Sequence, residues 1–184
     1  MALRPIRIAG DPVLRQKTKK VRVIDESIQK LIDDMIDTMR DAPGVGLAAN
    51  QVGVGLRVIV MEIPELDDRD SPGKKELYAL INPQIVKRSG ERLLEEGCLS
   101  IPGYKATVPR SESVTVKGLD RNGKEVRIKA VNNLLAQCIE HECDHVDGML
   151  YIDHLASLDE LVKLEDEDEE EGGETEREEA QARS

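Results

Sequence analysis

Residues 113–130, SVTVKGLDRNGKEVRIKA, alternate apolar and polar side chains on both sides of Asn122-Gly123. Period-two alternation suits a strand with one buried face, and Asn-Gly is the dipeptide that best accommodates a tight hairpin turn. This stretch therefore predicts an antiparallel pair, and a chain built around it has to contain a sheet. Ahead of it, DESIQKLIDDMIDTMRDAPG (25–44) places Ile28, Leu31, Ile32, Met35, Ile36 and Met39 at helical spacing, with Asp25 or Ser27 as cap and Pro43-Gly44 as stop. Sheet and helix together predict an α+β domain. With neither Phe nor Trp in the chain, its core has to be made of Ile, Leu, Val, Met and Ala.

Other segments extend the pattern. RVIVMEI (57–63), LYALINPQIV (77–86) and ERLLEEGCLS (91–100) read as extended, and PELDDRDSPGKK (64–75) as a polar loop. GVGLAANQVG (44–53) is too rich in glycine for either regular state. A second helix is expected from Asn132 or Asn133 to about Gly148, and a third from Ser157, where Ser157-Leu158-Asp159-Glu160 fits a capping box. The expected architecture is mostly antiparallel strands packed around a central helix, the one spanning His141 to His145.

The formal charge of −11 is unevenly placed. Residues 165–184 hold 11 acids and 2 bases, which leaves 26 acids and 24 bases in the rest of the chain. A nearly neutral body, residues 1–164, followed by an acidic tail, 165–184, is therefore expected, the tail lacking the apolar periodicity a core needs. Clustered Lys and Arg of a nucleic-acid footprint are missing. No stretch reaches the roughly 20 apolar residues of a membrane helix, and the start, MALRPIRIAG, is too short in its apolar part for a signal peptide. A cytoplasmic setting is expected. Three cysteines, Cys98, Cys138 and Cys143, make no disulfide framework and direct attention to metal ligation, catalysis or burial.

Within CIEHECDH (138–145) lies His141-Glu142-x-x-His145. Two histidines four apart share a helix face, so they can grip one divalent ion, and the glutamate is placed to act on a water at that ion. A catalytic centre needs a third protein ligand. One metalloprotease pattern, HExxHxxGxxH, has Gly148 in place but Tyr151 where its third histidine belongs. Cys143 lies about 200° round the helix from His141 and faces away, whereas Cys138 is on the metal side but tied to the same helix. Cys98 follows Gly97, where a chain returning from elsewhere can approach closely. Two nitrogens and one sulfur suit ferrous iron, zinc, cobalt or nickel.

Three segments, GVGLAANQ (44–51), EGCLS (96–100) and HECDH (141–145), closely resemble the three motifs of the peptide deformylases in order and spacing. DPVLR (11–15), INP (81–83) and GMLYID (148–153) extend the resemblance over roughly residues 8–153. It implies a metal-dependent hydrolase that removes the N-formyl group from the initiating methionine of newly made polypeptides and releases formate. It also implies Cys98, His141 and His145 as metal ligands, with Fe2+ as the resident ion and Ni2+, Co2+ or Zn2+ able to substitute. Glu142 would be the acid/base, and the Gln51 amide and the Leu99 N–H the oxyanion donors. Gly44 and Gly46 would seat an extended peptide, while Val45, Leu94, Leu134 and Cys138 would hold the methionine. Asp144 would support a ligand or a backbone group from behind. Its partners would be N-formylmethionyl peptides and, transiently, the ribosome, with no direct nucleic-acid or membrane binding.

Glu140, Gln137 and Val146 depart from the commonest family residues, Gln137 on the pocket side. Two other functions compete: a different HExxH peptide hydrolase acting on unformylated peptides, and a non-enzymatic binding protein working through its tail or a structural metal. The latter needs a closed coordination shell with a fourth ligand such as Cys138.

Overall fold

A computed structural model describes residues 2–64 and 74–164. The expected 165–184 tail and most of the 64–75 loop lie outside the described residues. Helix α1 spans Glu26–Asp41, and the Asp25 carboxylate accepts from the backbone of Ser27 and Ile28, which satisfies two of the donors that a helix N-terminus leaves over. Its apolar stripe is the predicted one, with Ile32, Met35 and Met39 fully buried.

Five strands form the larger sheet: β1 (Gly46–Ala48), β2 (Val58–Pro64), β3 (Lys75–Ser89), β6 (Ser113–Leu119) and β7 (Glu125–Val131), in the order β1-β2-β3-β6-β7. Every pairing in it is antiparallel. A second sheet has the order β4-β5-β8, made of β4 (Arg92–Cys98), β5 (Ile101–Arg110) and β8 (Val162–Lys163). The predicted hairpin is β6–β7, in register from Ser113↔Val131 to Leu119↔Glu125. Asp120 closes its turn by accepting from the N–H groups of Asn122 and Lys124, and Gly123 takes the positive φ of 81°.

Both faces of the larger sheet are covered, which explains why VIVM in β2 is continuously apolar. Val58 and Val60 pack with α1, whereas Ile59 and Met61 pack with helix α2 (Leu134–Val146). Alternation along one strand thus feeds two cores. A third, smaller core gathers Ile101, Ala106, Val108, Leu150 and Tyr151 under the second sheet.

Three segments differ from expectation. GVGLAANQVG is regular in part: Gly46–Ala48 pairs with Ile59–Met61 as β1, and Ala49–Val52 makes a 3-10 turn that ends at Gly53 (φ 80°). The apolar Leu47-Ala48-Ala49, fully buried, outweighs the glycines on either side. No element is predicted for residues 101–110, where Pro102, Gly103 and Pro109 are types that strands disfavour, yet β5 pairs there with β4 over most of its length. At Ser157 the capping box forms, but around a single 3-10 turn, Leu158–Glu160. The chain then pairs Val162 and Lys163 with β5 instead of continuing as a helix.

Candidate metal centre and substrate cavity

Helix α2 begins at Asn133, whose side chain accepts from the N–H of Ala136, and stops at Gly148 (φ 81°), where a Cβ would lie 2.7 Å from the Arg15 carbonyl oxygen. This fixes the helix so that His141 and His145 lie one turn apart, with their Nε2 atoms 3.2 Å from each other. Cys98 ends β4 and brings its Sγ to 3.2 Å from His145 Nε2. The ligand atoms of these three residues all lie within 4.8 Å of one another. Two donors at tetrahedral angles round one ion stand roughly 3.4–3.7 Å apart, so the cluster is close to the geometry a divalent ion requires.

The surroundings prepare the donors. Glu96 Oε2 lies 2.8 Å from His141 Nδ1. A carboxylate only accepts, so Nδ1 carries the hydrogen and Nε2 presents its lone pair to the cluster. Arg110 clamps Glu96 through Nε and Nη2, at 2.8 and 2.9 Å, and donates from Nη1 to Asp144 at 2.6 Å. His154, the third histidine, sits 2.8 Å from Asp144. Burial works to raise the Glu96 carboxyl, but the hydrogen bonds from Arg110 and His141 outweigh it and hold it down to about 2. The Cys98 sulfur receives the Ser100 N–H at 3.4 Å and the Gln51 amide at 3.6 Å.

Burial pushes His145 well below its ordinary value, so it is neutral and able to ligate. Burial works the same way on His141, but the bonds to Cys98 and Glu96 overcome it and favour positive charge at that ring. A divalent cation answers the same demand. Glu142, with Oε2 buried and partnerless among the described residues, is pushed up to about 7 by burial; a neighbouring cation would pull it back down. Donor set, lone-pair directions and the orphaned carboxylate oxygen all fit a divalent metal.

Gln51 is held by accepting from the Ala48 N–H at 2.8 Å and donating to Ser100 Oγ at 3.0 Å, which aims its amide nitrogen at Cys98. Leu99 begins the turn from β4 to β5. Gly46 is required by contact: a Cβ there would run into Glu142 Oε1 and stand 2.7 Å from Cys138 Sγ. At Gly44 a Cβ would lie 2.7 Å from Leu99 Cδ1. A cavity of about 490 Å3 opens over these residues, between β1 and β4 and above α2. Gly44, Val45, Gly46, Gln51, Cys98, Leu99, Leu134, Cys138, His141 and Glu142 line it. Of the predicted site, Leu94 and His145 are outside this lining; Leu94 lies on β4 across from Val108, and His145 is buried beneath it.

Cys143 packs in the core shared with the larger sheet, where burial raises its thiol to about 12. Gln137 donates to the Glu95 carbonyl at 2.9 Å at the rim. Glu140 is not a cavity residue: it accepts from the Ser111 N–H and hydroxyl and from Arg88. Tyr151 stacks on His141 at 6.3 Å between ring centroids. Sequence reasoning did not pick out Glu96, Arg110 or Asn50, whose amide donates to the His145 carbonyl at 2.5 Å.

The model of the polypeptide deformylase family matches residues 3–161. The chain belongs to the polypeptide deformylase family. Among its relatives, the peptide deformylase of Dehalococcoides mccartyi (strain CBDB1) is 54% identical over 169 residues, 92% of this chain and 96% of that one. That of Thermomicrobium roseum is 48% identical over 171 residues, again 92% and 96%. The crystal structure of a peptide deformylase from Legionella pneumophila superimposes with TM-score 0.77 at 49% identity, covering 85% of this chain and 88% of that one. That of the Ehrlichia chaffeensis enzyme in complex with actinonin gives 0.78 at 40%, covering 87% and 92%. The activity is that of the family: metal-dependent hydrolysis that removes the N-formyl group from newly made polypeptides. Among the described residues no helix is long and apolar enough to cross a membrane.

Proposed function

We propose that Cys98, His141 and His145 hold one divalent ion, Fe2+ in the cell, and that Glu142 is the acid/base of deformylation. When bound, the ion would supply a Lewis acid, lowering the pKa of a water so that it gives up a proton readily at neutral pH. The observation that carries this reading is the buried Glu142 Oε2, without a partner among the described residues, beside three converging donors. Glu142 takes the proton of the attacking water and hands it to the leaving amine. Gln51 Nε2 and the Leu99 N–H donate to the oxyanion that develops on the formyl oxygen. Gly44 and Gly46 let an extended peptide lie along the edge of β1, and Val45, Leu134 and Cys138 receive the methionine side chain, with Leu94 supporting from β4. Asp144 and Arg110 hold Glu96, which in turn orients His141.

In this reading α2 is the centre on which the site is organised, residues 1–164 are the catalytic unit and 165–184 an acidic tail dispensable for chemistry. The setting is the cytoplasm, with a transient ribosome contact and no direct nucleic-acid or membrane binding. Protein loaded with iron anaerobically, or with nickel in air, should release formate from formyl-Met-Ala, and far more slowly acetate from acetyl-Met-Ala. Cleavage of unformylated peptides, with formyl-Met-Ala left intact, would overturn the proposal.

A further inference from the structure

The cavity is lined by α2, through Leu134, Gln137 and Cys138, and also by Pro102, Gly103 and Tyr104 of β5 together with Leu164. Leu164 directly follows β8, whose pairs are Tyr104↔Lys163 and Lys105↔Val162, so the chain at Leu164 runs on toward Gly103, one residue past the pair that Tyr104 makes. β8 lies past residues 3–161, the span the family model matches. Tyr104 and Leu164 are 40% and 43% exposed, two large apolar groups that both line the cavity. Lys105, next to Tyr104 in β5, pairs with Glu95 at 3.0 Å.

We propose that Leu164 and Tyr104 form an apolar lip that selects an apolar side chain at the second or third residue of the formylated peptide. The occupant follows from continuity: the lip belongs to the same cavity as Glu142 and Gln51. An extended peptide advances about 3.3 Å per residue, so residues just after the methionine travel along this lining. Leu164 is therefore a specificity-determining residue that acts by covering a substrate side chain, and it acts in KM. The inference rests on the reading of this cavity as the formyl-peptide site.

The test uses the metal-loaded, full-length protein and measures kcat/KM for two peptide pairs: formyl-Met-Leu-Ala against formyl-Met-Ser-Ala, and formyl-Met-Ala-Leu against formyl-Met-Ala-Ser. Leu164→Ala should reduce the Leu/Ser preference at one of the two positions by roughly three- to tenfold, the scale of losing two or three partly buried methyl groups. The loss should fall on KM. Leu93→Ala, which removes an equally apolar side chain 69% exposed on β4 and away from the cavity, should leave the ratios unchanged. Formate release with both ratios unchanged in Leu164→Ala overturns the lip alone. Formate release from none of the peptides, by the wild-type protein, overturns the substrate reading and the lip with it.

Discussion

The two helices bury their polar groups to different ends. On α1 the buried polar side chains are partnered: Asp34 accepts from the Ala2 N–H, Arg4 and Lys30, and Thr38 donates to the Asp34 carbonyl while accepting from Arg4. Its Asp37 has one oxygen without a partner among the described residues, but that side chain is only half-buried. On α2, Glu140 is satisfied in the same structural way, yet Glu142 Oε2 and His145 Nδ1 are fully enclosed without partners among the described residues. A buried polar atom left unsatisfied costs about 1–3 kcal/mol. α1 largely avoids that cost and covers one face of the sheet, whereas α2 carries it beside the three converging donors Cys98, His141 and His145. Burial alone does not mark a site; burial with unused hydrogen-bonding capacity does.

The largest effect that sharpens this contrast is expected at Glu142. Glu142→Ala should keep its metal and lose at least roughly 10²–10⁴-fold in kcat, the typical share of proton transfer, as read by metal analysis and formate release. Near wild-type turnover would put the acid/base elsewhere. Glu96→Gln should come next, with a loss of about 10–100-fold in metal affinity or activity, since it unfixes the His141 ring; a competition titration with a chelator measures it. On α1, Asp34→Asn should instead lower unfolding stability by about 1–3 kcal/mol while the folded fraction keeps its kcat, as denaturant melts and an active-site titration would report. A fall in kcat at Asp34→Asn would erase the distinction between the helices. Smallest of all, a chain ending at Leu164 should retain its turnover on formyl-Met-Ala; a large drop at unchanged metal content would give residues 165–184 a part in the site.

Much of this was legible because the signals were local. Period-two alternation round Asn122-Gly123 and the 3.6-residue stripe of α1 are set within a few residues, and so is the spacing of His141 and His145. Cys98 needed only one distant segment and the glycine beside it. β5 was hidden because proline and glycine at a strand start look like breakers until a partner strand supplies the pairing. The chain of contacts from His154 through Asp144 and Arg110 to Glu96 joins residues between 10 and 34 positions apart, and nothing in the local pattern announces Arg110. Glu96 did carry a signal: it stands two residues before Cys98 in an extended segment, on the same face, so a carboxylate was bound to flank the thiol. Leu94, two residues further back, shares that face but is not among the residues that line the cavity.

The central claim is that α2 and β4 jointly make one metal centre whose sulfur is Cys98, while Cys143, on the other face of α2, is packing. Metal content measured on purified protein tests it directly. The wild-type chain and Cys143→Ala should each carry one divalent ion per chain, and Cys98→Ala should have lost it together with formate release. Full metal occupancy in Cys98→Ala would contradict the account.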